Sequence, residues 1–178
     1  MSYITTFTGK HFNPIDPVIE EIDIKDIAHA LSLICRANGH TSFFYSVAQH
    51  SIACYREAEA RGLSNRIQLG CLLHDGSEAY LSDLTRPIKA KLTEYLKIED
   101  RLQNMIWNHF IGEPLSDMEK EIIFRIDDEM LAYEFMHLMP ESISDDYKLI
   151  ISSPILEFVN PTIIEEEFIG LITYNIGR

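Results

Sequence analysis

Apolar residues return every three or four positions along most of the chain, and only residues 3–12 alternate loosely, around Gly9. The first pattern predicts amphipathic helices, the second a short strand pair. Asp23 is placed to cap a helix that runs through Asp26 to Arg36 and stops at Asn38-Gly39. Thr41 or Ser42 starts the next, with a stripe of Phe44, Val47, Ala48, Ser51, Ile52 and Tyr55, and Gly62 ends it. Ser64 opens a third helix that reaches about Leu81, before Thr85-Arg86-Pro87 breaks the chain. Residues 88–110 form a long fourth helix, and Ser116-Asp-Met-Glu119 is a capping box for a fifth that ends before Pro140. Residues 140–159 read as irregular, and Asn160-Pro161 opens a last helix with proline in its first position. The fold class is all-α. A single helical-bundle domain covers residues 1–178, with its core at about 23–138, a C-terminal extension at 139–178 and room for one N-terminal β-hairpin.

Two of these helices carry polar groups where their periodicity asks for apolar ones. On the third, Ile67, Cys71, His74 and Glu78 share one face, and Asp75 points about 100° further round. On the fifth, Asp127 falls inside the stripe of Ile123, Ile126, Met130, Leu131 and Glu134. His50 sits at the edge of the second helix's apolar face. A buried charge is costly unless it is paired or coordinates a metal. Two imidazoles and two carboxylates from three helices would give a mixed nitrogen and oxygen site, and an octahedral ion there keeps two positions open.

Composition narrows the partners. Hydrophobic residues at 46% and charged residues at 24% fit a globular core, and no apolar run approaches the roughly 20 residues of a membrane-spanning helix. The N-terminus lacks a basic start followed by an apolar stretch, so a cytoplasmic location is expected. A net charge of −13 repels nucleic acid polymers and anionic membranes. A small anionic substrate would need a metal or a few placed cations. Cys35, Cys54 and Cys71 fit neither a disulfide framework nor a CxxC site and are expected as buried free thiols in helical surroundings.

His50, His74-Asp75 and Asp127 reproduce the H…HD…D pattern of the HD-domain metal-dependent phosphohydrolases, and the chain resembles that family. Ile34-Cys-Arg-Ala-Asn-Gly-His40, Phe44-Tyr-Ser-Val-Ala-Gln-His50, Leu73-His-Asp-Gly-Ser-Glu-Ala-Tyr80 and Asp83-Leu-Thr-Arg-Pro-Ile-Lys89 look like its 5′-deoxynucleotidase-like branch. The short bacterial and prophage or phage members are the most similar. The likeness runs from about Phe7 to Glu134; Gly76 departs from it, since relatives often carry alanine there.

The resemblance implies one divalent ion (Mn, Co, Zn, Mg or Fe) on His50, His74, Asp75 and Asp127. Asp127 fits better than Asp128, because Leu131 and Glu134 follow at the family's distances. Two-metal members insert two further histidines before the last aspartate, and only His109 lies in that interval. Glu78, one turn beyond His74, would exchange a proton during catalysis. Arg36 would bind phosphate rather than only complement a helix dipole. Asp83 would contact the sugar or the reacting water, and Lys89 the substrate. The implied activity is release of phosphate from deoxyribonucleoside 5′-monophosphates. A deoxynucleoside triphosphate hydrolase is the alternative, and a catalytically inactive nucleotide-binding module the remoter one. A homo-oligomer is expected from the family alone.

Overall fold

Capping residues decide where most of the helices begin, and the computed structural model, which describes residues 3–140 and 150–176, shows several of them in use. A two-stranded antiparallel hairpin pairs β1 (Ile4–Thr5) with β2 (His11–Phe12), in the register Ile4 to Phe12 and Thr5 to His11. Gly9 turns it, with a left-handed φ of 85°. Helix α1 (Ile24–Leu33) is capped by the Asp23 carboxylate, which accepts from the Lys25 amide. Helices α2 (Val47–Ala60), α3 (Asn65–Leu73), α4 (Glu78–Leu81), α5 (Arg86–Lys89), α6 (Thr93–Ile111), α7 (Asp117–Leu138) and α8 (Pro161–Ile176) follow. The fold is all-α with a small N-terminal hairpin, as the pattern predicts. No helix among the described residues is long and apolar enough to cross a membrane.

Helix α2 lies at the centre, against α1, α3, α7 and α8, and α3 also meets α6 and α7. The core they enclose includes Ile27, Leu31, Val47, Tyr55, Leu72, Leu73, Leu102, Ile106, Ile123 and Ile126. Helix α8 packs on α1 and sends Ile164, Phe168, Leu171 and Ile172 into this same core. Helix α8 therefore belongs to the bundle. At Gly70 a Cβ would overlap the Ile123 side chain, so the glycine lets α3 and α7 approach. That approach brings the Asp127 helix towards His74.

Four of the expected helices differ from the periodicity, in part through contacts from elsewhere in the chain. Helix α1 ends at Leu33 because residues 34–36 are taken into an extended bridge: the Arg36 amide donates to Tyr45 O at 2.8 Å, and Val47 to Ile34 O at 3.0 Å. Cys35 therefore sits outside any α-helix, half-buried, whereas Cys54 and Cys71 are buried. Helix α2 starts at Val47, not near Thr41, because Ser46 and Gln49 form the capping box. Ser42 instead donates its amide and hydroxyl to Leu138 O at the end of α7. The expected third helix stops at Leu73. Gln103 of α6 accepts from the Ser77 amide at 3.0 Å and donates to Leu73 O at 2.7 Å, replacing helical bonds. Gly76 lies in the resulting turn, where a Cβ would press on Leu73 O and Ile106. The chain also divides the expected fourth helix into α5 and α6.

The remaining signals hold. Ser116 and Glu119 form a capping box on α7, and the Asn160 side chain accepts from the Thr162 amide ahead of α8. Residues 150–160 are irregular; the expectation for 141–149 lies outside the described residues. Tyr55 and Trp107 are buried in the core, while Tyr95 and Phe110 are only partly so.

Candidate metal centre

Helix α2 presents His50, the turn after α3 presents His74 and Asp75, and α7 presents Asp127. These four side chains meet. His50 Nε2 lies 3.3 Å from His74 Nε2 and 3.0 Å from Asp127 Oδ1. His74 Nε2 lies 3.5 Å from Asp127 Oδ1 and 3.3 Å from Asp75 Oδ2. His50 and His74 are buried, and the two aspartates nearly so. Cys54, one turn beyond His50 on α2, adds a sulfur, and the group His50, Cys54 and His74 could hold a metal ion.

The outer ring fixes how these side chains point. Glu134 accepts from or shares a proton with His50 Nδ1 at 2.9 Å and accepts from the Tyr45 hydroxyl at 2.8 Å. His74 Nδ1 donates to Cys71 O at 2.7 Å, which turns its Nε2 inward. Such carboxylate and carbonyl partners set the tautomer of a ligating imidazole. Arg36 is buried and reaches Asp75 Oδ2 at 3.3 Å and Glu134 Oε2 at 3.9 Å. Arg86, at the head of α5, reaches Asp127 Oδ2 at 2.9 Å and Asp128 Oδ1 at 2.6 Å. Asp128 therefore lies at the exposed rim, with Asp127 inside.

The cluster carries a strong pull for positive charge. Burial by itself would raise the Asp127 carboxyl, yet the imidazoles of His50 and His74 hold it well below the usual range. Burial and Arg36 work against a charged His50, and Cys54, Glu134 and Asp127 outweigh them to hold it above its ordinary value. His74 is likewise raised against its own burial, by Asp75 and Asp127. Burial pushes the Cys54 thiol up to about 11.

The centre opens onto a cavity of about 850 Å³. Arg36, Glu78, Asp83 and Lys89 all line it, so every site residue expected from sequence faces either the cluster or the cavity. Glu78 is buried, and burial together with Asp75 and Asp83 raises its carboxyl well above the ordinary range. Asp83 is raised too, chiefly by burial. Lys89 is not open to a ligand by itself: its ammonium lies 3.3 Å from Glu78 Oε1 and 2.7 Å from Glu99 Oε1. Apolar residues Leu96, Trp107, Phe124, Leu131 and Phe135 also line the cavity. Ala37, Asn38 and Ser82 are the described non-glycine residues with left-handed φ, and they flank Arg36 and Asp83. Strain of this kind costs of order 1–3 kcal/mol per residue and gathers at functional sites.

Three contributors escape a reading of motifs. Glu134 had its signal, a carboxylate inside an apolar stripe. Cys54 also had one, since it stands one turn from His50. Arg86 stands in the family-like segment 83–89, but its contact with α7 is set by the path of the chain after α4.

No family model matches the chain. It is 41% identical over 106 residues to the uncharacterized protein YfdR of Escherichia coli, which covers 60% of this chain and 57% of that one. It is 40% identical over 101 residues to an uncharacterized protein of Rhodobacter capsulatus, 53% of this chain and 51% of the relative. The chain thus spans about half the length of the curated relatives it matches. A metal is tested by the donors themselves. Two imidazoles and two carboxylates, buried together and each oriented by a partner, suit a divalent cation.

Proposed function

We propose that this chain is a metal-dependent phosphohydrolase of the HD-domain type acting on nucleotides, and first a 5′-deoxynucleotidase. One observation carries the reading. Arg36 Nε and Glu78 Oε2 are buried side-chain atoms without hydrogen-bond partners, and both residues line the cavity beside the cluster. A buried polar group is rarely left unpaired. An unpaired cationic donor and an unpaired acidic oxygen, on residues that line one cavity, suit a ligand with a phosphoryl group and a leaving oxygen.

His50, His74, Asp75 and Asp127 would hold one divalent ion. When bound, it supplies Lewis acidity towards a phosphoryl oxygen and activates water near neutral pH. The residues of the chain do the rest. Arg36 binds the phosphate and is itself held by Asp75 and Glu134. Glu78, whose carboxyl is raised by burial and by its acidic neighbours, is the proton donor to the departing 5′ oxygen. The phosphorus–oxygen ester bond breaks, water supplies the new oxygen on phosphorus, and a nucleoside and phosphate leave. The apolar side chains of Trp107 and Phe124 accept the base, and Asp83 is available to the sugar.

Charge around the cavity supports a monophosphate. Arg36 and Arg86 each already face two carboxylates, and Lys89 faces Glu99 and the Glu78 carboxyl. Second and third phosphates would find little uncompensated positive charge. The preference for deoxyribose rests on the resemblance alone.

The test is kcat/KM for dAMP, AMP and dATP at fixed Mn²⁺ or Mg²⁺. The expected order places dAMP first. A dATP value more than tenfold higher would make the chain a triphosphohydrolase on the same centre. Equal values for AMP and dAMP would remove the sugar preference. No phosphate release from any of them by folded, metal-loaded protein would leave a binding module.

A further inference from the structure

Cys54 Sγ lies 3.6 Å from His50 Nε2, and the donor atoms of His50, Cys54 and His74 all fall within 4.8 Å of one another. A buried cysteine in a helix is ordinarily small apolar filling. The separation of this one from His50 is that of two ligands on one ion. With bonds of about 2.05 Å to nitrogen and about 2.3 Å to sulfur, tetrahedral donors stand roughly 3.3 Å apart as N···N and roughly 3.5 Å as N···S. The corresponding separations are 3.3 Å for His50 to His74 and 3.6 Å for His50 to Cys54. Asp127 Oδ1 lies 3.0 Å from His50 and 3.5 Å from His74, within ligand spacing of both imidazoles. Asp75, in contrast, shares its Oδ2 between His74 and Arg36.

We propose that the centre contains two overlapping donor sets and sorts metals between them. A thiophilic ion such as zinc is held tetrahedrally by His50, Cys54, His74 and Asp127, a closed arrangement without room for substrate. An oxygen-preferring ion such as Mn²⁺ or Mg²⁺ takes Asp75 in place of the sulfur and keeps open positions. The thiol proton leaves to solvent as the sulfur–metal bond forms. Zinc is then a tight inhibitor of the Mn²⁺-supported reaction. The inference shares its centre with the proposed hydrolase but is read by binding rather than turnover.

The experiment loads the intact metal-free chain with Co²⁺ and records its electronic spectrum, then measures Zn²⁺ affinity by competition with a chelator. The wild type should show thiolate-to-cobalt charge transfer in the near ultraviolet and intense visible bands of a tetrahedral ion. Both should vanish in Cys54→Ser and Cys54→Ala, with Zn²⁺ affinity falling about 10²-fold, at the top of the range known for partners that merely orient ligands. Asp75→Asn should keep the sulfur band. Should either cysteine variant fail to fold, the wild-type spectrum still decides. Co²⁺ bound without a sulfur band, yet lost in His74→Ala, overturns this inference and leaves the nitrogen and oxygen site standing. Absence of any divalent binding overturns both.

Discussion

Glu57 and Glu78 are both buried, and the protein treats them in opposite ways. Glu57, on α2, has no exposed side-chain surface. Its oxygens accept from the Ile151 amide at 3.1 Å, the Ser152 amide at 2.8 Å, the Ser152 hydroxyl at 2.6 Å and Arg61 at 2.8 Å. Glu78 has one cation, Lys89, on Oε1 and no partner on Oε2. Burial pushes both carboxyls up. At Glu57 the bonds from Ser152 and Ile151 outweigh it and the pKa is lowered; at Glu78 the charges of Asp75 and Asp83 add to it. A buried carboxylate that the fold satisfies fastens one segment to another. One that the fold leaves unsatisfied beside a cavity is available for chemistry.

The sharpest break of this contrast would come from the metal ligands. His74→Ala or Asp75→Ala should remove bound Mn²⁺ and abolish phosphate release, since each takes away a direct ligand of that ion. Metal analysis of the purified variants, expected near one ion per wild-type chain, is the check. Full occupancy and normal turnover in either variant would sink the assignment. Next in size, Glu78→Gln should keep the metal yet lower kcat by ~10²-fold, the scale of a lost general acid or base. Its thermal midpoint should not fall, because a costly buried acid is replaced by a neutral amide. Retained activity with lowered stability would make Glu78 a second Glu57.

Glu57→Gln should do the reverse: a loss of about 1–3 kcal/mol of stability with kcat unchanged. Amide exchange at Ile151 and Ser152 should accelerate in that variant. The pH dependence follows with opposite signs. Glu57 has a folded pKa below its ordinary value, so its contribution is complete above about 4.5 and is lost as pH falls through the folded pKa. Glu78 has a folded pKa above its ordinary value, so the native state holds the extra proton. Stability then declines as pH rises from about 4.5 towards that folded pKa. Denaturation of the wild type and both glutamine variants across pH separates the two: the Glu57→Gln deficit shrinks in acid, and Glu78→Gln removes the decline on the alkaline side.

What sequence could reveal of this contrast follows from how local each feature is. The stripes of α2 and α7, the caps at Asp23, Ser116 and Asn160, and the meeting of His50, His74, Asp75 and Asp127 were legible, because periodicity assigns each residue to a face. The break after Leu73 was not, since the amide of Gln103 arrives from another helix. Helix α2 starts late for a similar reason: Ser42 is occupied by the end of α7. Glu57 gave no warning of its role, as its donors come from residues 151 and 152, in a stretch with no periodicity to read. The orphaned oxygen of Glu78 was equally hidden. Helical phase shows that a carboxylate points inward but says nothing of what meets it.

The smallest expected effect tests how that fastening divides its strength. Ser152→Ala removes the hydroxyl that donates to Glu57 Oε2 at 2.6 Å. The Ile151 and Ser152 amides and Arg61 remain on the same carboxylate. Neither oxygen becomes an orphan, so the cost is one hydrogen bond to a charged acceptor among several, about 1 kcal/mol. Chemical denaturation should show a small shift of midpoint with the same slope, and the exchange rate at Ile151 should rise less than in Glu57→Gln. A loss as large as that of Glu57→Gln would mean that the hydroxyl alone holds the segment and the amide contacts contribute little. A fall in phosphate release would be more damaging, because it would couple the C-terminal segment to the cavity and erase the division between the two glutamates.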